Sequence, residues 1–116
     1  MISVVFPGQG SQKVGMGSDL YNQFDYVKHI FKSANDILGY NISDLILNGP
    51  QEKLNQTTFT QPAIYLIGYT IGEILKKETN FFKNKFCYLA GHSLGEYTAL
   101  TTAEAITLEQ GLLLLK

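Results

Sequence analysis

Gly91, Ser93 and Gly95 stand at Gly-x-Ser-x-Gly spacing, after the apolar run Phe86-Cys87-Tyr88-Leu89-Ala90 and before a helix-forming stretch over residues 94–103. A serine between a buried strand and a helix can act as a nucleophile on acyl groups. The sharp turn lifts its hydroxyl clear of the sheet, and glycines on either side tolerate the close backbone approach that the turn demands. The helix N-terminus then offers unpaired N–H groups and the positive end of its dipole to a developing oxyanion.

A serine nucleophile also needs a base within hydrogen-bond reach, normally a histidine held by a third group. The chain has two histidines. His92 adjoins Ser93 and cannot easily turn back onto its neighbour's hydroxyl, so its expected role is to hydrogen-bond the loop backbone. His29 lies upstream on a helix, off its apolar stripe, and is expected at the surface. In the usual order the base follows the nucleophile, and no histidine follows Ser93. The missing base, together with the uncapped Leu112-Leu113-Leu114-Leu115 run, predicts a fragment of a longer enzyme. Two distant histidines and the single Cys87 provide no metal-ligand spacing, so no metal site is expected. Glu96 falls in the first turn of the helix after Ser93, where a carboxylate suits the dipole, and it reads as a helix-start charge at least as well as a catalytic group.

The elements that must position this serine follow in order. Residues 2–6 read as a first buried strand ended by Pro7. The loop from Gly8 to Gly17 has Lys13 where a dinucleotide fingerprint would need glycine, and no Gly-Lys-Ser/Thr. It reads instead as a turn with open N–H groups at the C-terminal end of a strand, where open α/β sheets bind ligands. Residues 18–38 are predicted helical on the stripe Leu20, Phe24, Val27, Phe31, Ala34 and Leu38, with a break allowed near Phe24, Asp25 as a fresh cap and Gly39 as the stop. Residues 41–47 form a short capped helix closed by Gly49, and residues 50–55 another turn or two. Residues 57–62 read as a loop, with Thr60 capping and Pro62 opening a helix to Leu75 whose buried face is Ile64, Ile67, Ile71, Ile74 and Leu75. Gly68 and Gly72 are expected to let that helix lie close to the sheet, and Lys76 and Lys77 suit its C-terminal end. Residues 79–85 form a polar loop. Thr107 and Gln110 match a capping box that starts a last helix.

At 116 residues the chain is one domain at most, with 45% hydrophobic residues and room for a real core. Nine basic against ten acidic residues, with no Lys/Arg cluster, argue against a nucleic-acid surface; Lys83 and Lys85 are expected to be solvated. The lone cysteine, expected as a small core residue, suits a reducing compartment. No leader is visible at Met1, and no apolar helix candidate is long enough to span a bilayer. A cytoplasmic protein without membrane contact is expected.

Taken together and in order, Phe6-Pro7-Gly8-Gln9-Gly10-Ser11-Gln12, Thr60-Gln61-Pro62-Ala63 and Gly91-His92-Ser93-Leu94-Gly95-Glu96-Tyr97 closely resemble malonyl-CoA:acyl carrier protein transacylases of fatty-acid synthesis. Val14-Gly15-Met16-Gly17 and Leu38-Gly39-Tyr40 are similar to that family too. The resemblance covers residues 1–116 as the N-terminal part of a family catalytic domain. It implies an α/β fold, a parallel-sheet, α/β hydrolase-like core with a nucleophile elbow, truncated so that the family's ferredoxin-like subdomain is absent. It further implies that Ser93 accepts malonyl from malonyl-CoA and passes it to the phosphopantetheine thiol of acyl carrier protein, with no cofactor. The family's oxyanion hole maps to the backbone N–H groups of Gln9 and Leu94, and Gln61 matches a glutamine beside the acyl pocket. The family's histidine base and carboxylate-binding arginine fall beyond Lys116, so the fragment is expected to be inactive alone. It is also expected to self-associate through the exposed C-terminal helix. Ala103-Glu104 departs from the family's Ala-Gly and leaves the end of that helix open. Two alternatives stand beside this reading: a serine hydrolase such as a thioesterase, and a non-catalytic interaction module.

Overall fold

A computed structural model describes residues 2–80, 87–91 and 94–116, with residues 2–4 and 87–90 described by their backbone alone. Phe86, His92, Ser93, the polar-loop positions 81–85 and the side chain of Cys87 therefore lie outside the described residues.

Strand β1 (Ile2–Phe6) is followed by the helices α1 (Ser18–Gln23), α2 (Asp25–Leu38), α3 (Ile42–Asn48), α4 (Gln51–Leu54) and α5 (Thr57–Glu78). Strand β2 (Cys87–Gly91), α6 (Leu94–Thr102) and α7 (Leu108–Leu115) complete the order. β1 and β2 pair in parallel, in register from Ile2 opposite Cys87 to Phe6 opposite Gly91. Parallel neighbours need a long crossover, here supplied by five helices. Because the register is level, the two strands end side by side at Phe6 and Gly91, about 4.8 Å apart.

The core lies among the helices. Val27, Phe31, Ala34 and Leu38 of α2 meet Ile42, Leu45 and Ile46 of α3, Leu54 of α4, Ala63 to Leu66 of α5, and Leu112 of α7. Each large side chain so buried stabilises by roughly 1.5–3 kcal/mol. The expected stripe on residues 18–38 holds over α2, while Leu20 and Phe24 are only half-buried. The chain breaks at Phe24, as allowed, but Phe24 itself is the extended N-cap and Asp25 is the first helical residue. Gly39 ends α2 in the left-handed region, and Asn41 caps α3 by accepting from the Asp44 N–H. Both bonds of the Thr107–Gln110 capping box form. α6 ends at Thr102, and Glu104 takes a left-handed φ of 64°, a conformation glycine adopts most readily. His29 is exposed, and so are Leu113 and Leu114.

α5 differs most from expectation. It starts at Thr57, with Gln56 as N-cap, so Pro62 sits inside the helix and Thr60 is not a cap. The buried Thr60 hydroxyl instead donates to the carbonyls of Leu54 and Gln56. The helix is surrounded over residues 62–66, which erases the one-sided pattern an edge helix shows. Ile71, expected inside, is 42% exposed. Gly68 and Gly72 face α6 rather than the sheet: a Cβ at Gly68 would meet Thr98 Cγ2 at 2.5 Å, and one at Gly72 would meet Thr102 Oγ1 at 2.9 Å.

Tyr65 links three helices. It is fully buried on α5, its phenol bonds the Thr101 hydroxyl of α6 at 2.5 Å, and it lies against Gly111 of α7. Burial pushes this phenol's pKa up, opposed by a smaller lowering from the Thr101 bond. A Cβ at Gly111 would overlap the phenol oxygen and ring. Gly111→Ala should therefore destabilise the chain by about 1–3 kcal/mol, read as a lower urea midpoint. The loss should shrink in a Tyr65→Phe background, where the oxygen is gone.

Candidate active site

Three chain segments meet at the level end of the sheet. The first is the loop leaving β1, which carries Gln9. The second is the N-terminus of α6, and the third is the N-terminus of α5.

The α6 end is held by glycine contacts. A Cβ at Gly91 would overlap the Gly95 carbonyl and the Glu96 nitrogen, so the strand end and the first helical turn are pressed together. A Cβ at Gly95 would overlap the Phe6 carbonyl and lie 3.2 Å from the Pro7 oxygen. Neither glycine has a positive φ. They are required because the backbone itself occupies the space a side chain would need. Leu94 is 4% exposed and opens α6, so its N–H precedes the first intrahelical bond. Gln9 lies two residues beyond Pro7, a chain reach of at most about 7 Å. Its N–H has no hydrogen-bond partner among the described residues.

The Gln9 side chain turns to α5, donating from Nε2 to Thr57 Oγ1 at 3.2 Å. Thr57 and Gln61 are four apart on that helix and share a face. The structure thus brings Gln9 to the helix face that carries Gln61, itself half-buried. Glu96 is exposed in the first turn of α6, in keeping with a helix-start charge.

The loop between Pro7 and Gly17 is tied down by amide side chains. Gln12 accepts from the Gly10 N–H at 2.8 Å and donates to Asn55 Oδ1 at 3.0 Å. Gln51 accepts from the Val14 N–H at 2.8 Å and donates to the same Asn55 oxygen at 2.8 Å. The Gly15 N–H donates to the Ile46 carbonyl at 2.8 Å. Asn55, Gln51 and Thr57 were not among the residues expected at the site. The available signal was compositional: Gln51, Asn55 and Gln56 cluster on a short turn while Gln9 and Gln12 sit in a glycine-rich loop.

Beside the loop lies a cavity of about 290 Å³ bordered by Val5, Phe6, Ser11, Ile67, Ile71 and Thr98. Among the described residues no group of histidine, cysteine and acidic side chains could hold a metal ion. No described helix is long and apolar enough to cross a membrane.

Residues 4–116 match the family described as the acyl transferase domain. The chain is 48% identical over 116 residues to the polyketide biosynthesis malonyl CoA-acyl carrier protein transacylase PksC of Bacillus subtilis, covering all of this chain and 38% of that one. It is 41% identical over 114 residues to the malonyl CoA-acyl carrier protein transacylase of Haemophilus influenzae, covering 98% of this chain and 36% of that one. The crystal structure of an acyl carrier protein S-malonyltransferase from Vibrio cholerae superposes with a TM-score of 0.89 at 43% identity, over 98% of this chain and 36% of that one. A type II polyketide acyl carrier protein in complex with its malonyl-transacylase matches with a TM-score of 0.86 at 39% identity, covering 98% of this chain and 36% of that one. The chain spans little more than a third of the length of these proteins.

The loop geometry ranks two substitutions. Gly10 has a φ of 114°, which strains any L side chain, and its N–H is held by Gln12. If the Gln9 N–H stabilises an oxyanion, Gly10→Val should displace it and lower turnover by about a hundredfold to a thousandfold, the cost of one such donor. Gln9→Ala keeps the backbone and loses the Thr57 bond, so its loss should be smaller. Turnover of both variants in the complete catalytic domain checks the order; the reverse would place the chemistry on the Gln9 side chain.

Proposed function

The chain belongs to the acyl transferase domain family, and from that membership we propose that residues 1–116 form the N-terminal part of a malonyl-CoA:acyl carrier protein transacylase domain with an α/β hydrolase-like core. Ser93 Oγ attacks the thioester carbonyl of malonyl-CoA, its proton passes to a base that residues 1–116 do not supply, and the carbonyl–sulfur bond breaks, that base returning the proton so that coenzyme A leaves as the thiol. The phosphopantetheine thiol of acyl carrier protein then attacks the seryl ester, takes the malonyl group and releases the serine. In each tetrahedral intermediate the oxyanion accepts from the N–H groups of Gln9 and Leu94. Gln61 lines the acyl side of the site, and His92 hydrogen-bonds the loop backbone.

One observation carries this reading. The level pairing of Phe6 with Gly91, with Gly95 packed on the Phe6 and Pro7 carbonyls, supports the loop of Gln9 and the first turn of α6 serving one reacting carbonyl. Donors fixed in place before the reaction stabilise charge without reorganising when it appears. Neither histidine is assigned the proton of Ser93: His29 is exposed on α2, and His92 is the serine's immediate neighbour in sequence. A serine without a base is nearly unreactive at neutral pH, so the isolated 116 residues should transfer malonyl no faster than background. Exposed Leu113 and Leu114 on α7 support self-association of that isolated piece. Relatives named for polyketide biosynthesis widen the setting beyond fatty-acid synthesis to either pathway.

Mass spectrometry of the complete catalytic domain after exposure to malonyl-CoA separates the alternatives. The expected result is a persistent malonyl adduct on Ser93 that holo acyl carrier protein removes. Rapid loss to free malonate would indicate a hydrolase, and no adduct an interaction module. Ser93→Ala should abolish the adduct and lower turnover on the order of a thousandfold or more; an alanine variant that still takes up malonyl would show that the nucleophile lies elsewhere.

A further inference from the structure

We propose that Asn55 is a positioning residue for acyl transfer, holding the Gln9 loop in its working shape without touching substrate; the proposal rests on the oxyanion role given to Gln9. The loop has no helix or strand to define it, and Gln9, Gly10 and Ser11 are all exposed. What holds it is a set of side-chain amides with one oxygen at the centre. Asn55 Oδ1 accepts from both Gln12 Nε2 and Gln51 Nε2, at 3.0 and 2.8 Å. The other end of each glutamine is occupied by the loop: Gln12 Oε1 takes the Gly10 N–H, and Gln51 Oε1 takes the Val14 N–H. The orientation of every amide follows from these bonds. A backbone N–H can meet only the oxygen of each glutamine, so each NH₂ points to Asn55, which must present its own oxygen.

The geometry acts on Gln9 directly. The Gly10 N–H belongs to the peptide plane that follows Gln9, so fixing it fixes the rotation about the Gln9 Cα–C bond. The Gln9 side chain is tied to Thr57 at the start of α5. The Gly8 carbonyl, which shares its peptide plane with the Gln9 N–H, accepts from Ser11 Oγ at 3.1 Å, so the planes on both sides of Gln9 and its side chain are all tied. Asn55 is itself firmly placed: its N–H donates to the Gln51 carbonyl at 2.9 Å, and the preceding Leu54 is fully buried in the core. Its side chain is at the surface, so replacing it removes the two acceptor bonds without opening a core cavity.

The test compares Asn55→Ala with Asn55→Asp in the complete catalytic domain. Aspartate keeps an oxygen that can accept from both glutamines; alanine keeps none. Asn55→Ala should slow Ser93 malonylation at saturating malonyl-CoA by about tenfold to a hundredfold, the cost of a small misplacement of a catalytic group. The malonyl-CoA concentration at half-maximal rate should stay near wild type, and Asn55→Asp should recover most of the rate. Hydrogen exchange gives a second measurement: Asn55→Ala should speed exchange at the Gly10 and Val14 amides while α5 core amides stay protected. An alanine variant with wild-type rate and wild-type exchange at Gly10 would overturn the positioning role alone. So would an aspartate variant as slow as alanine. Absence of malonyl on wild-type Ser93 would instead overturn the underlying acyl-transfer reading, and this proposal with it.

Discussion

The backbone of α6 sits directly on the carbonyl end of β1. Gly95 touches the Phe6 and Pro7 carbonyl groups so closely that no side chain fits, and Gly91 is pressed in the same way against the Gly95 carbonyl. That contact, together with a register that ends Phe6 level with Gly91, makes a helix start and a strand-end loop share one edge. A site needing N–H donors from two distant parts of the chain can be built there. If the helix stood off by even one methyl group, Leu94 would move away from the loop of Gln9. The two glycines thus serve through the volume they leave empty.

The same economy of size governs how α6 is backed. Gly68 and Gly72 of α5 face Thr98 and Thr102, and Gly111 of α7 faces Tyr65, so both helices come close to their neighbours. Close packing brings many weak dispersion contacts into range, and their sum holds a helix end more rigidly than a few long side chains would. The Tyr65–Thr101 bond adds a directional tie within this layer. The Gln9 loop is held by other means. It is exposed, with little apolar surface to bury, and its shape depends on side-chain amides anchored on the short α4 and the start of α5.

Proteins named as malonyl CoA-acyl carrier protein transacylases are 41–48% identical to this chain over nearly its full length, which covers only 36–38% of theirs. A rigid helical layer carrying a separately tied loop is a suitable base for such a domain. In the proposed oxyanion hole, Leu94 is placed by the packed helical layer and Gln9 by the tied loop.

Much of the fold was legible in the sequence because it depends on residues within a few positions of one another. Short apolar runs mark β1 and β2, and a helical apolar stripe marks α2. The asparagine cap at Asn41, the glycine stop at Gly39 and the capping box at Thr107 each close a bond within four residues. Ser93 is known as a candidate from its Gly-x-Ser-x-Gly setting alone, since it lies outside the described residues. Tertiary structure decided the rest. It began α5 at Thr57, buried Thr60 among carbonyls, turned Ile71 outward and put Gly68 and Gly72 against α6 instead of the sheet. It also chose Thr57 and Asn55 to hold Gln9 and Gln12, across separations of 48 and 43 residues. Glutamine and asparagine side chains can bond any amide or hydroxyl they meet. Their partners are therefore set by which surfaces the packed helices bring together, and no local pattern records that.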